Sequence, residues 1–226
     1  MAINAQYNVA APDSLPIRVA AYQRKKIFAA FLADSRIEEH HTILDVGVTS
    51  DRSYDHSNYL VTWYSHKATI TAVGLDDAGF LEEVYPGVRF VRADGRALPF
   101  PDRSFDYVHS SAVLEHVGSA ARQADFLREL ARVARRGIFV TTPNRWFPVE
   151  FHTVLPLVHW LPKSTFRGLL RALGKDFFAD ENNLNLLTPG ELKDLARDVG
   201  LKDWTVTSVG LAGWPTNLLL SARHEI

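Results

Sequence analysis

Cysteine is absent from the 226 residues. That excludes disulfides, thiol nucleophiles and zinc–thiolate sites, and it agrees with a reducing cytoplasm, the expected compartment. Excess charge is absent as well. A formal net charge of −1 gives no whole-molecule attraction to nucleic acid. No uninterrupted apolar run is long enough to span a bilayer. Residues 1–16, MAINAQYNVAAPDSLP, lack the basic start and apolar stretch of a secretory signal. Repeats and low-complexity tracts are missing too. What remains, 46% hydrophobic and 23% charged, suits a globular domain with a substantial core.

The apolar pattern alternates between two periods. Residues 1–16 read as an extended arm, and residues 17–33 carry apolar side chains near helical spacing. Arg24, Lys25 and Lys26 there read as a solvated basic face. Short runs at residues 42–46, 69–75, 88–92, 104–109 and 138–142 read as strands. Between them, residues 58–65, 79–85 and 120–135 read as helices, the last stopped by Gly137. Thr188-Pro189-Gly190-Glu191 is a capping box opening a helix that runs to about Val199, with Gly200 as its stop. Residues 204–209 and 217–222 read as a final strand pair around a turn at 210–215. Alternating strands and helices predict an α/β fold with a doubly wound, mostly parallel sheet, closed by a terminal antiparallel strand. Residues 1–39 form an arm and helix; residues 40–226 form a single domain, with 143–187 as a substrate-side lid or insertion.

Ligands of such sheets bind beyond the carboxyl ends of the strands. Those ends carry Asp45 with Gly47, Asp76, Asp94, Ser110 with Ser111, and residues 142–145. Each acid has a bland reading: Asp76 as a helix cap, Asp94 as a turn former before Gly95. Their recurrence at successive strand ends favours a site.

Residues 94–117, DGRALPFPDRSFDYVHSSAVLEHV, carry a more specific signal. A loop acid, a two-proline turn and a strand stand at fixed spacing, and the segment closely resembles D-A-x-x-L-P-F-x-D-x-S-F-D-x-V-x-S-x-x-V-L-E-H-V. That is the pattern of the type 11 group of class I S-adenosylmethionine-dependent methyltransferases. ILDVG and AVGLD are similar to that family's first two strands. The resemblance covers residues 40–142 well and the C-terminal part more loosely. It implies a seven-stranded Rossmann-like sheet, S-adenosyl-L-methionine as cofactor and S-adenosyl-L-homocysteine as product. It also implies roles for residues. Gly47 lets the backbone approach the amino-acid part of the cofactor, and Asp45 positions that loop or the methionine amino group. Asp76 accepts from the ribose hydroxyls. Asp94 accepts from the adenine amino group, with Gly95 and Arg96 beside it. Ser110 lies under the cofactor near the reacting methyl.

One departure stands out. The family usually continues D-x-G-x-G-x-G, whereas Gly47 is followed by Val48, Thr49, Ser50 and Asp51. Glycine serves there for positive φ and close backbone approach, so this loop is built differently, and the side chains of Thr49, Ser50 or Asp51 are the candidates to replace the backbone contacts. The departure keeps a second reading open, a non-catalytic methyltransferase-like binding protein. A nucleotide-dependent oxidoreductase is disfavoured, because G-x-G-x-x-G is absent.

The acceptor side is less specific. Residues 143–178 are rich in Trp, Phe, Leu and Pro and turn basic at Lys163, Arg167, Arg171 and Lys175. Three readings apply: a packed lid with solvated cations, a pocket using Asn144, Arg145, Trp146 and His152, or a peripheral membrane contact through residues 151–175. The acceptor is then a small molecule or a lipid- or glycan-linked group. Nucleic acid is not expected, since the cations are not interleaved with aromatics. His116 and His152 are the candidate catalytic bases for an oxygen acceptor. Asp106 reads as structural and His159 as a satisfied buried histidine. Glu150 with His152 has too few partners for a metal site, and none is predicted.

Overall fold

The computed structural model describes residues 15–52 and 56–224. The first fourteen residues of the predicted arm lie outside that range, as does Ser53. One seven-stranded sheet organises the rest, in the order β3-β2-β1-β4-β5-β7-β6. Its strands are β1 (Ile43–Val46), β2 (Ile70–Gly74), β3 (Arg89–Arg92), β4 (Phe105–Ser111), β5 (Ala134–Pro143), β6 (Trp204–Leu211) and β7 (Trp214–Arg223). β1 through β5 pair in parallel, and β7 runs antiparallel between β5 and β6. This is the predicted α/β class: parallel strands buried on both faces need continuous apolar runs, and all four residues of β1 are buried.

Two cores lie on either face. Helix α1 (Leu15–Ser35) lays Ile27 and Phe31 on one of them, together with Ile43, Phe139 and Leu219. α2 (Tyr59–Trp63) and α3 (Phe80–Val84) complete that side. On the other face, α4 (Ala120–Val133) and α7 (Pro189–Asp198) bury Phe126, Leu127, Leu130 and Leu192 against Val108, Val140 and Leu220. α1 starts at Leu15, so the last two residues of the predicted arm are helical.

Three boundaries differ from expectation, each for a visible reason. α4 stops at Val133 and not at Gly137, because Ala134 turns to ψ 135° and begins β5. Gly137 is a strand residue whose added Cβ would meet the Ala222 carbonyl oxygen at 2.7 Å. β4 runs through Ser110 and Ser111, which pair with Val140 and Thr141. Ala112, at φ +55°, breaks the strand, a 3-10 turn spans Leu114–His116, and Ser119 caps α4. The last hairpin turns at Ala212 and Gly213, so both of its strands are longer than predicted.

The segment between β5 and α7 holds α5 (Lys163–Ala172) and α6 (Asp176–Ala179) around a small core of Phe166, Leu170, Phe178 and Leu184. Its cations are partly engaged: Lys163 pairs with Glu191 at 3.0 Å and Arg167 with Glu181 at 2.9 Å. The capping box forms in full. Glu191 N donates to Thr188 Oγ1 at 3.2 Å, and Thr188 N donates to Glu191 Oε2 at 2.8 Å. Thr188→Ala should therefore lower unfolding stability by about 1 kcal/mol, measured by chemical denaturation; an unchanged midpoint would show that packing alone holds α7.

Candidate functional site

The carboxyl ends of β1, β2 and β4 converge because parallel pairing aligns them. Val46 stands opposite Val73, and the N–H groups of Gly47 and Val48 both donate to Val73 O, at 2.7 and 3.0 Å. Ala93 N donates to Gly74 O at 3.1 Å, which brings the loop after β3 alongside. The space beyond these ends is a cavity of about 500 Å³, within the range of small-molecule sites. Gly47, Thr49, Leu75, Asp94, Ser111 and Val113 are among the residues along its strand-end wall.

Gly47 makes this wall possible. Its φ is +105°, and an added Cβ would lie 2.1 Å from Val113 Cγ2. Gly95 is needed for packing: a Cβ there would meet Phe126 Cε2 at 2.5 Å and Val46 Cγ1 at 2.9 Å. The glycine-poor loop is braced by side chains. Asn58 Oδ1 accepts from Thr49 N at 2.9 Å while Asn58 Nδ2 donates to Thr49 O at 3.0 Å. Asp51 N donates to Thr49 Oγ1 at 3.0 Å. Ser50 Oγ donates to Asp76 Oδ2 at 3.3 Å. Asn58 is the brace that the sequence reading missed; an Asx side chain nine residues downstream carries no local signal.

The predicted cofactor residues divide. Gly47, Asp94 and Gly95 line the cavity. Asp94 also takes Arg96 Nη2 at 2.6 Å and Arg96 Nε at 3.0 Å. That guanidinium first, with the Arg96 backbone N–H adding to it, holds the Asp94 carboxyl below the usual range against partial burial. Asp45, Asp76 and Ser110 are not on the cavity wall. Asp45 is buried and bonds His109 Nδ1 at 2.7 Å, and His109 Nε2 meets the Tyr59 hydroxyl at 2.8 Å. Asp45 therefore braces the sheet beneath the loop. Asp76 is 5% exposed and turned toward Ser50, while Leu75 takes the place on the wall. Ser110 donates to Val46 O at 2.8 Å on the opposite face of β4; strand alternation gives the cavity position to Ser111.

The predicted acceptor residues divide too. Asn144 Nδ2 donates to Pro215 O at 3.0 Å and Asn144 Oδ1 accepts from Trp146 N at 3.1 Å, so its amide is a clamp. Arg145 donates to the carbonyls of His159 and Leu161, at 3.0 and 2.7 Å. Trp146 is 43% exposed and stands beside Trp160, which stacks with Trp214. None of the three lines the cavity. His159 is buried, with Nε2 on Phe147 O at 2.7 Å.

His116 and His152 do line it, with Glu115. Their rings meet edge to face at 4.7 Å. His116 Nδ1 bonds Asn183 O at 2.7 Å, which fixes that nitrogen as the donor, and Nε2 stands 3.7 Å from Glu115 Oε1. Glu115 is fully buried, accepts from Thr142 Oγ1 at 2.9 Å through Oε2, and is pushed up to about 7 by burial. Burial, then the charge on His152, pushes His116 down to about 3. His152 Nδ1 lies 2.6 Å from Glu150 Oε1. Burial opposes both charges of that pair, yet their attraction raises His152 and holds Glu150 at about 2.

Residues 44–141 match the family described as a methyltransferase domain. A probable S-adenosylmethionine-dependent methyltransferase of Mycobacterium tuberculosis is 44% identical over 63 residues, which is 27% of this chain and 22% of that protein. A demethylmenaquinone methyltransferase of Roseiflexus castenholzii is 33% identical over 127 residues, 54% of this chain and 51% of that one. The chain thus spans at most about half the length of these curated relatives. Solved folds match more widely. A SAM-dependent methyltransferase from Aquifex aeolicus superposes with TM-score 0.59 at 15% identity over 93% of this chain and 99% of that one. The magnesium protoporphyrin IX methyltransferase of Synechocystis, solved with bound SAH, gives 0.59 at 13% identity over 98% and 92%. With the strand order and the DGRALPFPDRSFDYVHSSAVLEHV segment, these matches show that the chain has the fold of solved S-adenosylmethionine-dependent methyltransferases and that residues 44–141 are similar to a methyltransferase domain.

Proposed function

We propose that the chain transfers the methyl of S-adenosylmethionine to a small molecule held at the Glu115–His116–His152 end of the cavity. The observation that carries this is the convergence of strand ends on one cavity whose wall tolerates no Cβ at Gly47 and whose other end is polar and buried. When bound, S-adenosylmethionine supplies an electrophilic methyl on a sulfonium sulfur. The protein's part is positioning. Gly47 gives the backbone close approach, and the unfilled lone pairs of Asp94 accept from the nucleobase edge. Asp76 and Ser50 brace the ribose end of the loop, and Asp45 holds it from beneath through His109. The buried polar end would hold the acceptor in line with that methyl, and the acceptor's proton would leave to water or a neighbouring base.

Titration calorimetry with S-adenosylmethionine and S-adenosylhomocysteine tests the cofactor half. Binding is expected, and Asp94→Ala should weaken it roughly tenfold to hundredfold, the loss of one hydrogen bond to a charged group. Absence of binding to the wild-type chain would end the reading. Transfer of radiolabelled methyl to a panel of small acceptors, to which the Roseiflexus relative adds demethylmenaquinone, tests the other half; binding without any transfer would favour a non-catalytic binding protein.

A second reading of the acceptor rests on the insertion's surface. Val154, Leu157 and Leu161 are exposed there, with Trp146 and Trp214 nearby through the Trp160 contacts. These support a lipid-linked acceptor met at a membrane surface. No helix among the described residues is long and apolar enough to cross a membrane. Sedimentation with anionic and neutral vesicles decides it: no association with either removes the lipid reading and leaves the small molecule.

A further inference from the structure

We propose that Glu115 meets the acceptor and takes its proton at Oε1, and that the acceptor is a largely apolar, ring-bearing molecule with an ionisable hydroxyl. The proposal rests on the acceptor lying at this end of the cavity. Glu115 is fully buried and lines the cavity, and no donor among the described residues reaches its Oε1. The rest of the residue is fixed. Thr142 Oγ1 donates to Oε2 at 2.9 Å, and Asn185 N donates to the Glu115 backbone oxygen at 2.7 Å. A buried carboxylate oxygen without a donor is costly. An ionised carboxylate only accepts, so the guest that relieves this cost brings an O–H or N–H. A neutral amine already has the lone pair it needs. A hydroxyl frees its nucleophilic pair as the proton leaves, so a base serves a hydroxyl most.

The surroundings suit that role. The charged and titratable groups facing the carboxyl are His116, from the same 3-10 turn, and His152 with Glu150, from the insertion. Burial outweighs the charge on His152 and sets Glu115 at about 7, where a base works best near neutrality. His116 is held near 3, which makes it a weak base. Glu150, at 2.6 Å, keeps the proton on His152. As the hydroxyl proton passes to Oε1, the acceptor oxygen keeps the bonding pair and Glu115 becomes a neutral acid. The cation on His152 then offsets the negative charge gathering on that oxygen. The apolar part of the acceptor has its own wall. Phe151, Pro143 and Val117 line the cavity and adjoin His152, Thr142 and His116 in sequence. Phe151 stacks on Phe147 at 5.3 Å, a rigid surface for a ring.

The experiment uses the full wild-type chain and Glu115→Gln. Each is titrated calorimetrically with S-adenosylhomocysteine and then, with it present, with 2-naphthol or its methyl ether, from mildly acidic to mildly basic pH. The two probes differ only in the O–H. Wild type should bind the naphthol more tightly as pH rises through about 7, because the ionised carboxylate makes the stronger hydrogen bond. The methyl ether should show no such dependence. Glu115→Gln should lose the pH dependence and bind the naphthol roughly tenfold to hundredfold more weakly, with the methyl ether unaffected. Wild type that binds the naphthol no more tightly than its methyl ether overturns the proposal, as does a pH dependence that survives Glu115→Gln. The S-adenosylhomocysteine step shows that each chain is folded and reports the cofactor half separately. Binding there with probes that behave alike refutes the role of Glu115 alone. Its absence from wild type ends the methyl-transfer reading and this proposal with it.

Discussion

Gly47→Val should abolish measurable cofactor binding and destabilise the fold by about 2–5 kcal/mol, from a left-handed backbone plus overpacking. Two independent terms contribute. At φ +105° any L side chain is strained, and the new Cβ falls 2.1 Å from Val113 Cγ2. Val113 cannot retreat easily, since it packs against the α4–α7 core. Calorimetry with S-adenosylhomocysteine and urea unfolding read the two effects. Gly47→Ala with Val113→Ala removes most of the clash and keeps the backbone strain, so it should recover part of the stability. A Gly47→Ala chain that binds S-adenosylhomocysteine within threefold of wild type would show that the loop does not govern the site.

Asp106→Ala should cost about 1–3 kcal/mol, the usual loss when a charged acceptor is removed and its donors are left unsatisfied. The Asp106 side chain is 9% exposed. It accepts from Thr42 N and Thr42 Oγ1, at 3.0 and 2.9 Å, and pairs with Arg135 and Arg136 at 3.3 and 3.2 Å. It ties the start of β1 to β4 and both to β5, so its removal strands donors at Thr42, beside β1, and on β5. The pH dependence has a definite sign. Burial works to raise the Asp106 carboxyl, but the Thr42 bonds and the two guanidinium groups outweigh it and hold it below the ordinary value. Its contribution is therefore complete above the unfolded aspartate value of about 4 and fades as pH falls through the lower folded value. Wild-type stability should drop across that acid window, and Asp106→Asn should show a shallower drop. Equal slopes for the two chains would refute this assignment.

Much of the framework could be read from sequence because its signals are local. ILDV announces a doubly buried strand, and Thr188 to Glu191 announces a helix start, and both form. The LPFPDRSFD block carries the family resemblance because its turn and strand are contiguous. Signals that depend on distant partners were not legible. The end of α4 is set by Asp106 drawing Arg135 and Arg136 into β5, not by the nearby glycine. Ser110 and Ser111 are neighbours in sequence, and only the pleat decides which one faces the cavity. Arg24, read as part of a solvated basic face, stands on the cavity wall, because α1 lies across the strand ends. Asn144, Arg145 and Trp146 have the chemistry of a binding site but spend their polar atoms on the insertion and the last hairpin. Conversely, only folding brings Glu115 and His116, thirty-odd residues upstream, beside His152.

The strand order has a consequence for synthesis on the ribosome. β7 follows the other six described strands in sequence yet sits inside the sheet, between β5 and β6. When β6 emerges it lacks its strand partner, since among the described residues its pairing is to β7 alone. β5 meanwhile presents a bare edge of buried-type residues, which only Asn217 through Arg223 will cover. Parallel strands 1 to 5 can assemble while translation continues, but the nascent chain stays an open, adhesive sheet until residue 223 clears the exit tunnel. A ribosome stalled before β7 should therefore hold a chaperone-bound, protease-sensitive intermediate, and release of the final strand should be the step that makes the chain resistant.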